Sequence, residues 1–203
     1  MNLIYRISVI IIRIIFRLNG GLEIKGKENI PGKGGLIVAS NHVSYLDPPL
    51  IGAAVQRRAT FMARKGLFKI PVLGCFIKHF AIPVKRGGHG GVSSIKEALK
   101  RLKRGGLLVI FPEGMRSTHG EFLEAKRGIG MLVSISNAPV VPAFIAGSYN
   151  ALPVGARWIK RARITVTFGK PLYFSLNKSG REGHENISKE VMNAIKGLKD
   201  KCK

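Results

Sequence analysis

Four short runs rich in apolar residues, the first three of them almost uninterrupted, constrain the fold of this chain more than any other feature. They are GLIVAS (35–40), GLLVIF (106–111), APVVPAFIAG (138–147) and ARITVTFG (162–169). The first three lack the alternation of apolar and polar residues that marks a half-exposed strand. Such runs are typical of strands that are buried on both faces of a parallel sheet.

Segments with helical periodicity lie between and after these runs. In VSSIKEALKRLKRG (92–105) apolar residues recur at helical spacing, and Gly105 offers a C-terminal stop. NISKEVMNAIKGL (186–198) predicts a closing helix. Strands that alternate with helices predict an α/β fold, and a chain of 203 residues can bury one core of its own. We therefore expect a single domain over residues 21–203, with a mixed, mostly parallel central sheet flanked by helices.

The N-terminal segment LIYRISVIIIRIIFRL (3–18) is rich in isoleucine but is interrupted by Arg6, Arg13 and Arg17. No uncharged run therefore approaches the roughly 20 residues of a membrane span. At about 100° per residue, the arginines fall within roughly 40° of one another on a helix. This pattern predicts that residues 1–20 form an amphipathic, membrane-anchoring helix that lies in the interface, with arginines reaching lipid phosphates. The alternative is a helix packed on the protein body, with its arginines facing water.

The charge balance calls for an anionic partner. Lys and Arg number 34 against 11 Asp and Glu, which gives a net charge of +23. Such a charge attracts nucleic acid or an anionic membrane surface, or simply keeps the protein soluble, and charge alone does not choose between these. Cys75 and Cys202 form no disulfide framework, CxxC motif or zinc pattern, which favours a reducing, cytoplasmic location.

The stretch NHVSYLD (41–47) follows the first apolar run and holds a candidate proton-transfer pair. Asp47 precedes Pro48 and Pro49, which are tolerated in the first turn of a helix but not in its interior. Asp47 is therefore expected at a helix N-terminus, where the positive end of the helix dipole favours a carboxylate. That carboxylate can hold one ring nitrogen of His42 and leave the other as a base toward a substrate hydroxyl. A capped turn with an incidental histidine is the alternative for this pair in isolation.

A second stretch, VIFPEGMRS (109–117), carries a strand into a tight bend. Pro112 and Gly114 would hold Glu113 and Arg116 at the C-terminal end of the strand, the edge of an α/β sheet where ligands bind. The guanidinium of Arg116 suits a phosphate, although an internal ion pair with Glu113 is an alternative. Further cations that can enlarge an anion site are Arg86, Lys126 and Arg127.

Two other kinds of site find little support in the sequence. The remaining histidines, His79, His89, His119 and His184, lack metal-ligand spacing, and HExxH is absent, so no metal site is expected. No G-x-S-x-G element is present, so a hydrolase triad is not expected either.

Taken together, the two motifs resemble those of the glycerolipid acyltransferase family, in particular its lysophosphatidate (1-acylglycerol-3-phosphate) acyltransferases. The family's N-H-x4-D block is matched by Asn41, His42 and Asp47, and FPEGMRS resembles FPEGTRS, with Met115 in place of the usual Thr or Ser. Further matching positions are Lys65, Pro71, Gly74 and Arg86 of the second block, the AKRG element (125–128), and Pro142 in VVPAFI (140–145). The resemblance covers roughly residues 22–175.

The resemblance implies a reaction and a set of roles. His42, supported by Asp47, would deprotonate the free glycerol hydroxyl, which attacks the thioester of acyl-CoA or acyl carrier protein and yields phosphatidic acid. Arg116, with Arg86 and Lys126, would hold the acceptor's phosphate. Glu113 would position Arg116 or a glycerol hydroxyl, and backbone N–H groups near Gly114 would stabilise the oxyanion. No metal or organic cofactor is implied.

The implied partners are an acyl thioester, lysophosphatidic acid and an anionic membrane surface. The enzyme would act at the cytoplasmic face of the cell membrane as a peripheral or monotopic protein. Related readings are transfer to another lysolipid or to glycerol 3-phosphate, and an inactive lipid-binding module, against which the intact motifs argue. A basic nucleic-acid-binding protein would explain the charge, but the sequence has no recognisable binding motif of that kind, so no nucleic-acid partner is expected.

Overall fold

One seven-stranded sheet organises the computed structural model, which describes residues 3–71, 73–84, 90–175 and 180–200. The strands are β1 (Leu22–Lys25), β2 (Leu36–Ser40), β3 (Ala59–Arg64), β4 (Ala81–Val84), β5 (Leu107–Ile110), β6 (Val140–Ala146) and β7 (Ile164–Phe168). Their order is β1-β7-β6-β2-β5-β3-β4. All neighbours pair in parallel except β6 and β7, which are antiparallel. The predicted mixed, mostly parallel α/β sheet is confirmed.

The helices of the described part of the chain cover both faces of this sheet. They are α1 (Leu3–Leu18), α2 (Asp47–Ala54), α3 (Leu73–Ile77), α4 (Gly90–Lys103), α5 (Gly128–Ser136), α6 (Ser148–Ala151) and α7 (Gly180–Asp200), with short 3-10 helices at Lys27–Asn29 and Lys65–Lys69. Leu36 and Val38 of β2 face α1 and α2, whereas Ile37 and Ala39 belong to the core beneath α4, α5 and α7. Both faces of β2 are therefore buried, which explains its uninterrupted apolar sequence.

The four apolar runs became the strands β2, β5, β6 and β7, and the two predicted helices are α4 and α7. Gly105 follows α4 with φ +79°, a conformation that a side chain would strain, so the predicted stop is confirmed. Sequence periodicity did not reveal β1, β3 or β4. These strands are four to six residues long and carry charged, polar or proline residues.

Helix α1 packs on the domain with one side and exposes apolar residues on the other. It packs on the domain through the buried Tyr5 and Phe16, and Arg13 Nε donates a hydrogen bond to the Ala53 carbonyl at the end of α2 (2.8 Å). Arg13 is therefore used partly for docking on the protein. The opposite side of the helix exposes Leu3, Ile4, Ile7, Ile10, Ile11, Ile14, Ile15 and Leu18. At about 100° per residue these side chains fill a sector of roughly 140°, and the three arginines lie along one flank of it. Among the helices in the described part of the chain, none has the length and apolar character needed to cross a membrane.

The contact between α5 and α7 depends on a glycine. A Cβ atom at Gly130 would lie 1.9 Å from the His184 carbonyl oxygen, and the Gly130 N–H donates to Ser188 Oγ (3.1 Å). At Gly128, two residues earlier, a Cβ atom would meet nothing within 4 Å. Only the former position requires the absence of a side chain.

Candidate active site

The two motif segments meet because β2 and β5 are neighbours. Ala39 pairs with Ile110 in parallel register, so the chain leaves both strands at the same edge of the sheet. His42 follows β2, and Glu113 follows β5. The Ser117 N–H donates to the His42 carbonyl (2.9 Å), which joins the two segments directly.

His42 and Asp47 form a hydrogen-bonded pair at the start of α2. His42 Nδ1 lies 2.8 Å from Asp47 Oδ2, and the same oxygen accepts the N–H groups of Val43 (2.7 Å) and Ser44 (2.8 Å). Because this carboxylate is an acceptor, Nδ1 carries the hydrogen, and the lone pair of the imidazole is left on Nε2. The imidazole is 16% exposed, whereas Asp47 is fully buried. The pair therefore has the orientation that a general base requires.

The helix start matches the position predicted from Pro48 and Pro49, but the capping differs. The N-cap is Leu46, and no side chain caps the helix there. Asp47 accepts N–H groups from the preceding turn rather than from the helix. The carboxylate is thus held by the turn that carries His42, and its second oxygen, Oδ1, has no hydrogen-bond partner among the described residues.

Phe111 packs against the imidazole, and Asn41 anchors the backbone next to it. The Phe111 ring stacks on the His42 ring with a centroid separation of 4.0 Å and an interplanar angle of 19°. Asn41, next to the histidine, exchanges two hydrogen bonds with the Ile145 backbone on the neighbouring strand β6 (3.1 and 2.8 Å). The His42 ring is therefore held at Nδ1 by the Asp47 carboxylate and on one face by the Phe111 ring. The stacking role of Phe111 was missed from the sequence, although the residue lies within the second motif.

Glu113 contradicts its expected role. Its carboxylate is fully buried and accepts the His42 N–H at Oε1 (3.1 Å) and the Leu123 N–H at Oε2 (3.3 Å). Burial raises its pKa to about 7, against the lowering effect of those two hydrogen bonds, and the charge of Asp47 adds to the rise. A carboxylate without exposed surface, with both oxygens bonded to backbone, neither orients Arg116 nor reaches a glycerol hydroxyl. Glu113 instead braces the turn that carries His42.

The predicted bend is present at Gly114, and the backbone N–H of this residue is used within it. Gly114 has φ +69°, and its N–H donates to the Phe111 carbonyl (3.0 Å), so this N–H is occupied within the turn rather than directed at an oxyanion. A Cβ atom here would lie 3.2 Å from Lys126 Cγ, because the Lys126 N–H donates to the Pro112 carbonyl (2.7 Å) and brings its side chain over the bend. The exposed Lys126 therefore lies beside the second motif.

The guanidinium of Arg116 lies over the ring of Tyr45, 3.4 Å from its centroid. Its Nη1 is buried without a hydrogen-bond partner among the described residues. Tyr45 belongs to the same turn as His42, so the cation and the imidazole are held by one short segment. Tyr45 was not predicted as a site residue, since its position in the first motif gives no sign of the stacking. Arg86, the other predicted cation, lies outside the described residues.

The edge of the sheet that carries the two motifs brings an acid, a base and a cation together. In the described ranges, no group of three or more His, Cys, Asp or Glu side chains is arranged to hold a metal ion. The exposed apolar residues Tyr45 and Met115 border the site. A base next to a guanidinium, with apolar side chains around it, suits an amphiphile that carries a hydroxyl and an anionic group.

Comparisons with known proteins agree with this chemistry. A family model described as acyltransferase matches residues 21–146. A 1-acyl-sn-glycerol-3-phosphate acyltransferase of Bacillus subtilis is 32% identical over 171 residues, which are 83% of this chain and 82% of that protein. A chloroplastic 1-acyl-sn-glycerol-3-phosphate acyltransferase of Brassica napus is 30% identical over 177 residues, which are 85% of this chain but 51% of its own length.

A solved structure has the same fold. The crystal structure of the 1-acyl-sn-glycerophosphate acyltransferase PlsC from Thermotoga maritima superposes with a TM-score of 0.80 at 28% identity. The match covers 96% of this chain and 79% of that one.

Proposed function

The chain belongs to the acyltransferase family, and from this premise we propose that it transfers a fatty acyl group from an acyl thioester to the free hydroxyl of a 1-acylglycerol 3-phosphate, making phosphatidic acid. The relatives named above carry this activity in their names. The single observation that supports it best in this chain is the 2.8 Å contact between His42 Nδ1 and Asp47 Oδ2, which leaves the other ring nitrogen of a partly exposed imidazole as a base.

His42 acts as the general base in this proposal. Its Nε2 takes the proton of the acceptor hydroxyl as the hydroxyl oxygen attacks the thioester carbonyl carbon. The imidazolium that forms is stabilised by the buried Asp47 carboxylate. When the tetrahedral intermediate collapses, the carbon–sulfur bond breaks and the proton passes from the imidazolium to the leaving thiolate. The products are an ester and a free thiol, and no acyl-enzyme is needed.

Arg116 is the proposed anchor for the acceptor's phosphate. Its buried Nη1 donor has no acceptor among the residues that the structure describes, and buried polar groups of this kind are normally hydrogen-bonded. A phosphate oxygen would satisfy it. The Tyr45 ring packs against one face of the Arg116 guanidinium, so its N–H donors keep one orientation. Lys126, beside the bend, adds a second cation, and Arg86 is assigned to the same phosphate on its motif match alone.

Glu113 is a positioning residue in this scheme. It accepts the backbone N–H of His42 and that of Leu123, and so ties the base to the segment that leads to Lys126. The base and the phosphate anchors then keep a fixed separation. This matters because small misplacements of reacting groups cost large factors in rate.

We also propose that residues 1–20 anchor the acyltransferase domain, residues 21–203, to the membrane that holds its acceptor. The exposed apolar sector of α1 faces away from the domain, and the cationic flank lies beside it. This arrangement suits an anionic membrane surface at the cytoplasmic face of the cell membrane, where the protein would be peripheral or monotopic. The acyl donor is acyl-CoA or acyl carrier protein.

The test is thiol release from acyl-CoA with lysophosphatidic acid as acceptor, compared with glycerol 3-phosphate and other lysolipids. His42→Ala should abolish acyl transfer without loss of the folded state, checked by thermal unfolding. His79→Ala, at an exposed histidine beyond β3, is the matched control and should behave as the unmodified chain. Retained activity in His42→Ala would contradict the base assignment, whereas salt-sensitive DNA binding without any thiol release would contradict the acyltransferase reading.

A further inference from the structure

The segment 152–163, here called the tryptophan loop, exposes apolar residues outside any regular element. Trp158 is 82% exposed and Ile159 is 48% exposed. Of the large apolar residues in the described part of the chain, Trp158 is the most exposed. An isolated exposed leucine is ordinary, but an exposed tryptophan beside an exposed isoleucine leaves a large apolar area in water.

The tryptophan loop is fixed at one end to the catalytic turn. Ser44 Oγ donates to the Leu152 carbonyl at 2.7 Å, and Ser44 lies between His42 and Asp47. The Lys160 N–H donates to the Ala151 carbonyl (2.8 Å), which closes the loop on itself. Its position relative to the imidazole is therefore set by hydrogen bonds.

The other end of the loop is fixed to α1. The side-chain amide of Asn19, just after α1, donates to the Lys160 carbonyl (3.1 Å), and the Asn19 backbone carbonyl accepts the Ala162 N–H (3.2 Å). Only Ile159 lies between Trp158 and Lys160, so the Cα atoms of these two residues are at most about 7 Å apart. The exposed tryptophan thus lies beside the C-terminal end of α1, where Leu18 is 79% exposed.

The charge of the loop is complementary to an anionic surface. Residues 152–163 contain no acid, and their basic residues are Arg157, Lys160, Arg161 and Arg163. Arg163 is paired with Glu23 of β1, and the structure gives no ion pair for the other three among the described residues. Tryptophan next to cationic side chains is the composition of a membrane-interface segment, in which the indole lies at headgroup level and each cation near an anionic surface adds attraction.

We propose that the tryptophan loop is a second membrane-contact element, which inserts Trp158 and Ile159 into the interface of an anionic bilayer beside the C-terminal end of α1. The proposal rests on the proposed function, because it supposes an acceptor that resides in the bilayer. Contact through α1 alone would let the whole protein rotate about the helix axis on the membrane surface. A second contact, distant along the chain, fixes the orientation of the protein. The hydrogen bond from Ser44 then transmits that orientation to the turn that carries His42.

Trp158 is the sole tryptophan of the chain, so intrinsic fluorescence tests the proposal without a label. On mixing the full chain with vesicles of phosphatidylglycerol and phosphatidylcholine, the emission should shift to the blue, and lipids brominated on their acyl chains should quench it. The shift should weaken with phosphatidylcholine alone and at high salt. An unchanged spectrum with vesicles that the chain demonstrably binds, as judged by flotation, would overturn the proposal.

A variant pair provides the second measurement. The double substitution Trp158→Ala and Ile159→Ala should lower the vesicle partition coefficient at least about tenfold, given the apolar area removed. Tyr173→Ala is the matched control. Tyr173 is 76% exposed. It follows Leu172, which pairs with Val140 at the start of β6 and so lies at the end of the strands opposite the site. Thermal unfolding checks that both variants are folded, and equal partition of the two would contradict the proposal.

Two other outcomes are distinguishable. A blue shift that depends on protein concentration in the absence of vesicles would assign the loop to contact with a second copy of the chain, and would overturn the membrane proposal. Failure of the proposed function has another signature, namely no thiol release by the unmodified chain even where the Trp158 spectrum reports insertion.

Discussion

The ionisation of Glu113 should make the stability of this protein decrease as the pH rises. Its pKa is raised from 4.5 to about 7 in the folded chain. Between these values the folded state retains a proton that the unfolded state has lost, so the stabilisation is complete below about pH 4.5 and is lost as the pH rises through 7. The gap between the two values corresponds to about 3 kcal/mol in the free energy of unfolding.

Glu113→Gln isolates this effect. The amide has nearly the same size, and its oxygen can still accept one of the two backbone N–H groups, those of His42 and Leu123. Loss of the other hydrogen bond should cost about 1 kcal/mol at every pH. Because the amide does not ionise, the variant should be less stable than the unmodified chain by about 1 kcal/mol at pH 4.5 and more stable by about 2 kcal/mol at pH 8.

The measurement is urea unfolding followed by circular dichroism at several pH values between 4.5 and 8, at constant ionic strength. Glu124→Gln, at an exposed position in the same segment, is the control and should run parallel to the unmodified chain. The reasoning is refuted if the difference between Glu113→Gln and the unmodified chain does not change with pH. That result would mean that burial does not determine the ionisation of this carboxyl group.

Three further substitutions test the site and its support. Asp47→Asn keeps the shape of the side chain but removes the charge beside the imidazolium, so kcat for thiol release should fall by about 10²–10⁴ with little change in KM, and an unchanged kcat would rule out the pair as a base. Tyr45→Leu removes a cation–π contact of about 0.5–2 kcal/mol with Arg116 and should raise the KM for the acceptor by about 2- to 30-fold. Tyr45→Phe keeps an aromatic ring under the guanidinium and should leave this KM unchanged. Equal effects of the two substitutions would contradict the stacking role. Gly130→Ala should lower the free energy of unfolding by about 1–3 kcal/mol, because its methyl group would push helix α5 away from α7. Gly128→Ala should not lower it in the same urea titration.

The sequence predicted the centre of the fold because the central strands are buried on both faces. GLIVAS and GLLVIF have no polar face, and a strand of this kind can only lie inside a covered sheet. Their placement as neighbours brought His42 and Glu113 to one edge. In contrast, β1 is LEIK, four residues with two charges, and it becomes a strand only through its parallel pairing with β7. Pairing between distant segments has no local signal.

The site was predicted less completely than the fold, for a related reason. Spacing in NHVSYLD and the following prolines placed Asp47 at a helix start, and the contact with His42 followed from that. The stacking of Tyr45 on Arg116 joins two motifs that are far apart in the chain, so no local spacing reveals it. The role expected for Glu113, to position Arg116 or a glycerol hydroxyl, came from the family resemblance, and an ion pair with Arg116 was the alternative. The structure instead buries its carboxylate against the backbone N–H groups of His42 and Leu123. Whether a carboxylate reaches a cation or is buried against backbone groups depends on packing that the sequence does not display.

One turn of chain carries the connections on which the proposed activity depends. Within residues 41–47, His42 bonds Asp47, Tyr45 supports Arg116, and Ser44 bonds the tryptophan loop. Direct contacts therefore join the proposed base, the proposed phosphate anchor and the proposed bilayer contact. A lysolipid in a bilayer presents its hydroxyl and phosphate at a limited depth, so an enzyme that fixes both groups must also fix its own height above the membrane. The hydrogen bond from Ser44 to Leu152 supplies that link, and it explains why a small polar residue is useful at this position in the turn.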